Sequence, residues 1–212
     1  MIVSPLGQID ATHYVDPKTN QVFQVNLDSL EIVGAGVPSG LTANIQTDDY
    51  RKAIEAAVDF YAGSFYGAET YTSAVYAKDG IITIVISARN FRLNAMWAGG
   101  WTSTYTLPVN KQGVVDIKGS IKLNVHYFED GNVQLNSTFN KESSIRVENA
   151  ENTAKAVGAC IEKLESEYHK QLEEFYVNMN VVTFKAMRRF LPLTQKKFEW
   201  NANAHKLASE MK

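Results

Sequence analysis

The run His126-Tyr127-Phe128-Glu129-Asp130-Gly131 clusters a histidine with two carboxylates. A histidine beside two acids is the residue set of a general base or a metal site. In an extended strand, however, side chains alternate between faces, so His126 and Glu129 point to opposite sides. Glu-Asp-Gly-Asn is also ordinary hairpin-turn chemistry. His13, His169 and His205 stand singly, and no Cys-x-x-Cys or His-x-x-x-His spacing exists to hold a metal. Gly99-Gly100 lacks the Lys-Ser/Thr pair and the helix start of a phosphate loop, and reads instead as a turn between Trp97 and Trp101. Cys160 is the single cysteine, so an intrachain disulfide is excluded and a reducing compartment is expected. Beside an apolar seam, it reads as a small packed residue rather than a nucleophile. Nothing assembles a nucleophile, a base and an orienting group, so the sequence points to binding without catalysis and without a cofactor.

The residues that could recognise a charged partner lie at the other end. From Lys185 onward there are seven Lys or Arg (185, 188, 189, 196, 197, 206 and 212) against Glu199 and Glu210, so this segment carries +5 and the rest of the chain −7. A basic terminal segment on an acidic body fits an acidic partner, although a solvated helix end would carry the same charges. Pro192 breaks the segment in two. Lys185, Arg188 and Arg189 precede it; after it come Lys196 and Lys197, Phe198 and Trp200, then a weakly amphipathic stretch with Ala204, Leu207, Ala208 and Met211 on one face.

The element that must present this segment is a long helix read from Glu148 to Asn180. Val157, Ile161, Leu164, Tyr168, Leu172, Phe175, Met179 and Val182 recur at steps of three and four, which is one apolar face. Thirty residues at 1.5 Å each give a helix of about 45 Å. Ahead of it, five segments rich in Val, Ile, Thr and Tyr (71–78, 81–88, 102–107, 115–127 and 132–139) are joined by short connections with no room for crossover helices. They form an antiparallel meander with Asp79-Gly80, Ala98-Gly99-Gly100 and Asp130-Gly131 as turns. The fold class is therefore α+β: a five-stranded antiparallel sheet with one face covered by a long C-terminal helix. If the helix crosses the strands, a sheet only about 24 Å wide leaves part of it overhanging, and that part would pack on a second subunit. Helix running along unusually long strands, or broken near Asn178, is the alternative.

The N-terminal part reads as short strands with tight turns at Ser4-Pro5-Leu6-Gly7 and at 16–20, a loop over Gly34–Gly40, and a helix starting at Thr47 with Tyr50, Ile54, Ala57, Val58 and Tyr61 on its apolar face and Gly63 and Gly67 at its end. The expected division is 1–46 as a small β-rich region and loop, 47–190 as the core and 191–212 as a binding tail. No eighteen-residue apolar stretch could span a bilayer, and Met1-Ile2-Val3-Ser4-Pro5 lacks the pattern of a secretory signal, so a cytoplasmic location is expected. No nucleic acid partner is expected.

The run from Ile121 to Leu135 closely resembles the alpha subunit of the F-actin capping protein. So does Thr183 to Thr194, continuing to Trp200-Asn201 and Glu210-Met211, with weaker echoes at 97–103, 75–78 and 14–17. The resemblance implies a dimer with a capping protein beta subunit of similar fold, or with a second copy, in which two five-stranded sheets join and are crossed by both long helices. The interface would then draw on Val157, Ile161, Leu164, Tyr168, Leu172 and Phe175. It also implies capping of actin filament barbed ends through a basic patch and mobile tails: Lys185 and Arg189 fall on the family's basic positions, and Arg188, Lys196, Lys197, Trp200, Leu207 and Met211 complete the expected actin-binding set. A third basic position of the family is Gln195 here, where the adjacent lysines would substitute as point charges. Phosphoinositides or myotrophin-like regulators would bind the same patch. The family's N-terminal three-helix stalk has no counterpart before Ile2, which fits a truncated form, a fragment or a divergent short member.

Overall fold

The computed structural model describes residues 1–29, 31–39, 45–67, 70–90, 97–127 and 133–178. The chain opens with three short strands, β1 (His13–Asp16), β2 (Gln21–Asn26) and β3 (Glu31–Pro38), which pair antiparallel in the order β1-β2-β3. The 16–20 turn joins the first two, with Asn20 in the left-handed region (φ 53°) and the Asp16 carbonyl accepting from the Asn20 amide. Gly34–Pro38, expected as loop, belongs to β3. Its glycines hid the strand pattern, yet Val37 pairs with Val22 and Val33 with Gln24, across an irregularity in which Gly34-Ala35-Gly36 of β3 stand opposite Phe23.

Helix α1 (Ile45–Tyr66) buries Tyr50, Ile54, Val58 and Tyr61, the face its periodicity predicts. It runs through Gly63, which does not end it; Gly67, at φ 83°, follows its last residue. The Tyr50 hydroxyl donates to the Glu148 carbonyl, which ties the start of α1 to the approach of the last helix.

Strands β4 (Tyr71–Lys78), β5 (Ile81–Asn90), β6 (Trp97–Pro108), β7 (Gly113–Tyr127) and β8 (Val133–Val147) form a continuous antiparallel meander in chain order. Asp79 and Gly80 both have positive φ (54° and 74°), the mark of a type I′ hairpin turn. A Cβ at Gly80 would lie 2.8 Å from Cβ of Asn110. Gly80→Val is expected to destabilise the fold by about 2 kcal/mol, through backbone strain and this clash, measured as a lower urea midpoint at unchanged slope.

Two strand boundaries differ from the sequence reading. Gly99-Gly100 is not a turn: β6 passes through it, Gly99 pairing with Asn90 on one side and Val125 on the other. A Cβ at Gly99 would stand 3.0 Å from the Asn124 carbonyl, so the glycine permits close backbone approach inside the sheet. Strand β8 does not stop at Phe139 but continues to Val147, paired with β7 residue by residue. Asn140, Lys141 and Glu142, exposed in succession, break its alternation and concealed this half. The Asp130-Gly131 turn lies outside the described residues.

Helix α2 (Ala150–Asn178) starts at Asn149, whose Oδ1 accepts from the Asn152 amide at 2.8 Å. It runs along the strands rather than across them. Ala154 and Val157 pack with Ile117, Ile145 and Val147, whereas Tyr168 and Leu172, farther on, pack with Ile121, Leu123 and Phe139. A strand of 15 residues extends about 50 Å, enough to underlie a helix of 29 residues. From Val157 to Leu172 the apolar seam thus finds its surface within its own sheet. The core lies between this sheet face and the α1–α2 pair, with Ile82, Ile84, Ile86, Tyr105 and Leu107 at its centre.

On the opposite sheet face, Ala74, Tyr76 and Val85 are covered by Ile2, and the Tyr76 hydroxyl donates to the Ile2 carbonyl at 3.2 Å. Lys18 meets Asp59 of α1 at 2.7 Å. The N-terminal segment and the β1–β2 turn therefore touch the body on both sides of edge strand β4.

Candidate functional site

The site begins with what holds α2 at its angle, because the basic segment continues from its C-terminal end. Within the apolar seam sits one ionisable residue, Glu165, one turn beyond Ile161 and next to Leu164. It is fully buried, and four hydroxyls donate to it. Tyr61 and Tyr66 of α1 reach Oε2, each at 2.7 Å, and Ser103 and Tyr105 of β6 reach Oε1 at 2.6 and 2.9 Å. Among the described residues no cation takes part, and the carboxylate is satisfied by neutral donors from two elements, the condition under which a buried acid is tolerated. Burial, and then the negative charge of Glu165, push the Tyr61, Tyr66 and Tyr105 hydroxyls far above the ordinary tyrosine range, which keeps all three protonated as donors.

One turn on, the seam becomes aromatic. His169 stacks on Trp101 with ring centres 4.5 Å apart and planes 5° from parallel, and Phe65 of α1 lies 5.1 Å from the His169 ring. Tyr168 stacks on Phe139 at 4.8 Å and donates from its hydroxyl to Ser137 Oγ at 2.8 Å. This cluster closes the helix–sheet interface toward the C-terminal half of α2.

Burial holds the His169 imidazole below the usual histidine range, only partly offset by the Glu165 and Glu173 carboxylates one turn to either side. The folded chain therefore takes up this proton later than the unfolded chain as pH falls. The stability this provides is complete above about pH 6.5 and is lost as pH drops below it. His169→Phe is expected to flatten the loss of thermal stability between about pH 6.5 and 5 relative to the unmodified chain, in melts recorded across that range.

The expected interface residues Val157, Ile161, Leu164 and Tyr168 are all buried by this chain's own sheet and α1, and Leu172 packs on the aromatic cluster. Phe175 belongs to the last turn of α2, whose side chains lie outside those described. A different feature faces outward: β8, fifteen residues long, pairs only with β7 among the described residues, leaving its far edge open. Lys185, Arg188, Arg189, Lys196, Lys197, Trp200, Leu207 and Met211 all lie outside the described residues, as do Glu129 and Asp130 of the histidine–carboxylate run. Cys160 is half-buried beside Ser143, and burial raises its thiol above the ordinary range, so it is a protonated packing residue. Among the described residues no helix is long and apolar enough to cross a membrane.

Sequence reasoning missed the Glu165 cluster. The available signal was an acid on the apolar stripe together with Ser103 and Tyr105 on one strand face and Tyr61 on the inward face of α1.

Comparison with known proteins places this architecture. The family model described as the F-actin capping protein alpha subunit matches residues 1–210, a span that includes both the sheet–helix body and the basic segment. An F-actin-capping protein subunit alpha from Caenorhabditis elegans is 32% identical over 220 residues, covering 100% of this chain and 75% of the relative. One from Dictyostelium discoideum is 34% identical over 218 residues, covering 99% and 76%. The fold matches the structure of a homodimeric actin capping protein alpha subunit from Plasmodium berghei, with a TM-score of 0.74 at 21% identity over 90% of this chain and 73% of that one. By the extent of the family match and the identity to these relatives, the chain belongs to the F-actin capping protein alpha subunit family.

Proposed function

We propose that this chain caps the barbed ends of actin filaments as the alpha subunit of a capping protein dimer, blocking both addition and loss of actin subunits. The observation that carries this reading is the family match from residue 1 to residue 210, which spans the body and the basic segment together. The body supplies a rigid mount: α2, fixed by Glu165 and the aromatic cluster, runs the length of the sheet and leads into the segment from Lys185. Lys185 and Arg189, with Arg188, Lys196 and Lys197, supply positive charge for an acidic surface at the filament end. Trp200, Leu207 and Met211 supply the apolar contacts of a tail that begins near residue 191 and seats on actin.

The dimer partner is a capping protein beta subunit or a second copy of this chain. The open β8 edge favours a partner that continues the sheet, since its fifteen residues present a row of backbone donors and acceptors. A joined sheet would bring a partner's helix toward the distal turns of α2, and Leu172 and Phe175 are the seam residues proposed to meet it. Phosphoinositides or myotrophin-like regulators, competing for the same basic patch, would release the cap. The working location is the actin cytoskeleton of the cytoplasm.

Growth of actin from preformed seeds tests the reading. Nanomolar amounts of the chain, alone or assembled with a beta subunit, should stop elongation at barbed ends and leave pointed-end growth unchanged. Elongation that continues at micromolar amounts of either assembly would favour a dimeric scaffold of the same fold without capping activity.

A further inference from the structure

Strand β3 has the properties of a docking edge. It is the outer strand of the N-terminal sheet and pairs only with β2 among the described residues. None of its eight residues is buried, although three of them are large and apolar: Ile32 and Val33 are each 50% exposed and Val37 is 63% exposed. Unpaired edges are ordinarily blunted by lysines or covered by another element. β3 contains no lysine, and its one proline, Pro38, is at its end.

The backbone adds shape to this edge. Gly34 sits at φ 83°, and a Cβ there would meet no atom within 4 Å, so open space lies beside Ile32 and Val33. Gly36, by contrast, is covered by the Phe23 ring. The edge is therefore unobstructed at Gly34, so a bulky side chain laid beside it meets no clash.

Charge narrows the occupant. Residues 1–39 contain Asp10, Asp16, Asp28 and Glu31 against a single lysine, Lys18, and that lysine is committed to Asp59 at 2.7 Å. Asp10 is engaged with His13 at 2.9 Å, and Asp16 caps its own turn through Lys18 N and Thr19 Oγ1. Asp28 and Glu31 remain at the mouth of β3, with Glu31 bonded only by the Ser29 hydroxyl among the contacts found there.

We propose that β3 is a docking strand for an extended segment of a partner protein. That segment adds as a fourth strand, sets apolar side chains against Val33 and Val37 on one face and against Ile32 on the other, places a bulky one beside Gly34, and carries a basic residue opposite Asp28 and Glu31. This surface belongs to the N-terminal part of the chain and has the opposite charge to the basic segment proposed to meet actin, so the two would take partners of different chemistry.

The probe is a nine-residue synthetic peptide with a lysine at each end, threonines alternating with valine, and phenylalanine at the centre. Its symmetry of charge places a lysine near Glu31 in either strand direction. The control has glutamates in place of both lysines. With the full chain in its dimeric assembly, fluorescence anisotropy should show saturable binding of the basic peptide at least tenfold tighter than the acidic one. Amide exchange should slow over residues 31–38 on binding. Glu31→Lys, an exposed change, should reverse the preference between the peptides, and Val33→Lys should weaken both, with circular dichroism unchanged. Equal affinities, no binding, protection confined to other strands, or a β3 already protected in the peptide-free assembly would each overturn the proposal, the last because the dimer partner itself would then be the cover.

Discussion

Glu165→Ala is expected to lower the stability of the chain by about 4 kcal/mol, which corresponds to a melting temperature about 10 °C lower for a protein of this size. The change leaves Tyr61, Tyr66, Ser103 and Tyr105 as buried hydroxyls without their acceptor, each having lost a hydrogen bond to a carboxylate. Such bonds contribute about 1.5–3 kcal/mol apiece, and an orphaned buried donor costs about 1–3 kcal/mol. The hydroxyls can partly re-pair with one another, and for that reason the total stays well below the sum. A cavity the size of the lost side chain adds to the loss. Glu165→Gln preserves volume and one acceptor oxygen but turns a donor toward other donors; it should cost less, about 2 kcal/mol. Urea denaturation of both variants checks the pair. An alanine variant within about 1 kcal/mol of the unmodified chain would mean that the four hydroxyls do not hold α2 to α1 and β6.

The second large effect is on function. Lys185→Glu combined with Arg189→Glu reverses two charges of the segment proposed to meet the filament, shifting its net charge from +5 to +1. Rim charges of an interface govern association and its salt dependence, and each reversal replaces an attraction by a repulsion. Capping affinity should fall at least a hundredfold. The deficit should narrow as ionic strength rises, because screening weakens attraction and repulsion alike. Stability should be unchanged, because losing a contact with the filament leaves the core formed by α1, α2 and the sheet intact. A capping-deficient variant that also melted early would point to misfolding instead of lost contact, so both measurements are made on the same preparation.

The contrast between these residues and the body marks what was legible in the sequence. The seam from Val157 to Tyr168 could be read because a helix buries every third or fourth residue, and strands 71–78 and 81–88 could be read from their β-branched density. Gly99-Gly100 misled because a glycine pair has the composition of a turn, while its use here, close approach between β6 and β7, depends on a neighbour more than twenty residues away in the chain. The second half of β8 was hidden for a similar reason: Lys141 faces the helix side and meets Glu167 at 3.4 Å, which a local alternation pattern cannot anticipate. Glu165 was the largest omission. Its partners come from α1 and β6, and an acid on an apolar stripe acquires meaning only once the tertiary fold brings hydroxyls to it. The direction of α2 was open between crossing and following the strands. The full lengths of β7 and β8 decided it, and they give the part of the seam from Val157 to Leu172 a surface within this chain's own sheet. That change shifts the proposed dimer contact toward the β8 edge and the distal turns of α2. The roles of Lys185 and Arg189 came from resemblance alone, since the charge run by itself would fit any acidic partner.

Single-filament imaging of barbed-end growth, with the unmodified dimer and the Lys185→Glu, Arg189→Glu dimer compared at two salt concentrations, tests the central claim most directly. Barbed ends should stop growing with the unmodified protein at nanomolar concentration, and should keep growing with the charge-reversed protein at the same concentration, the difference being larger at low salt. Equal arrest by both proteins, independent of salt, would contradict the assignment of actin capping to this basic segment.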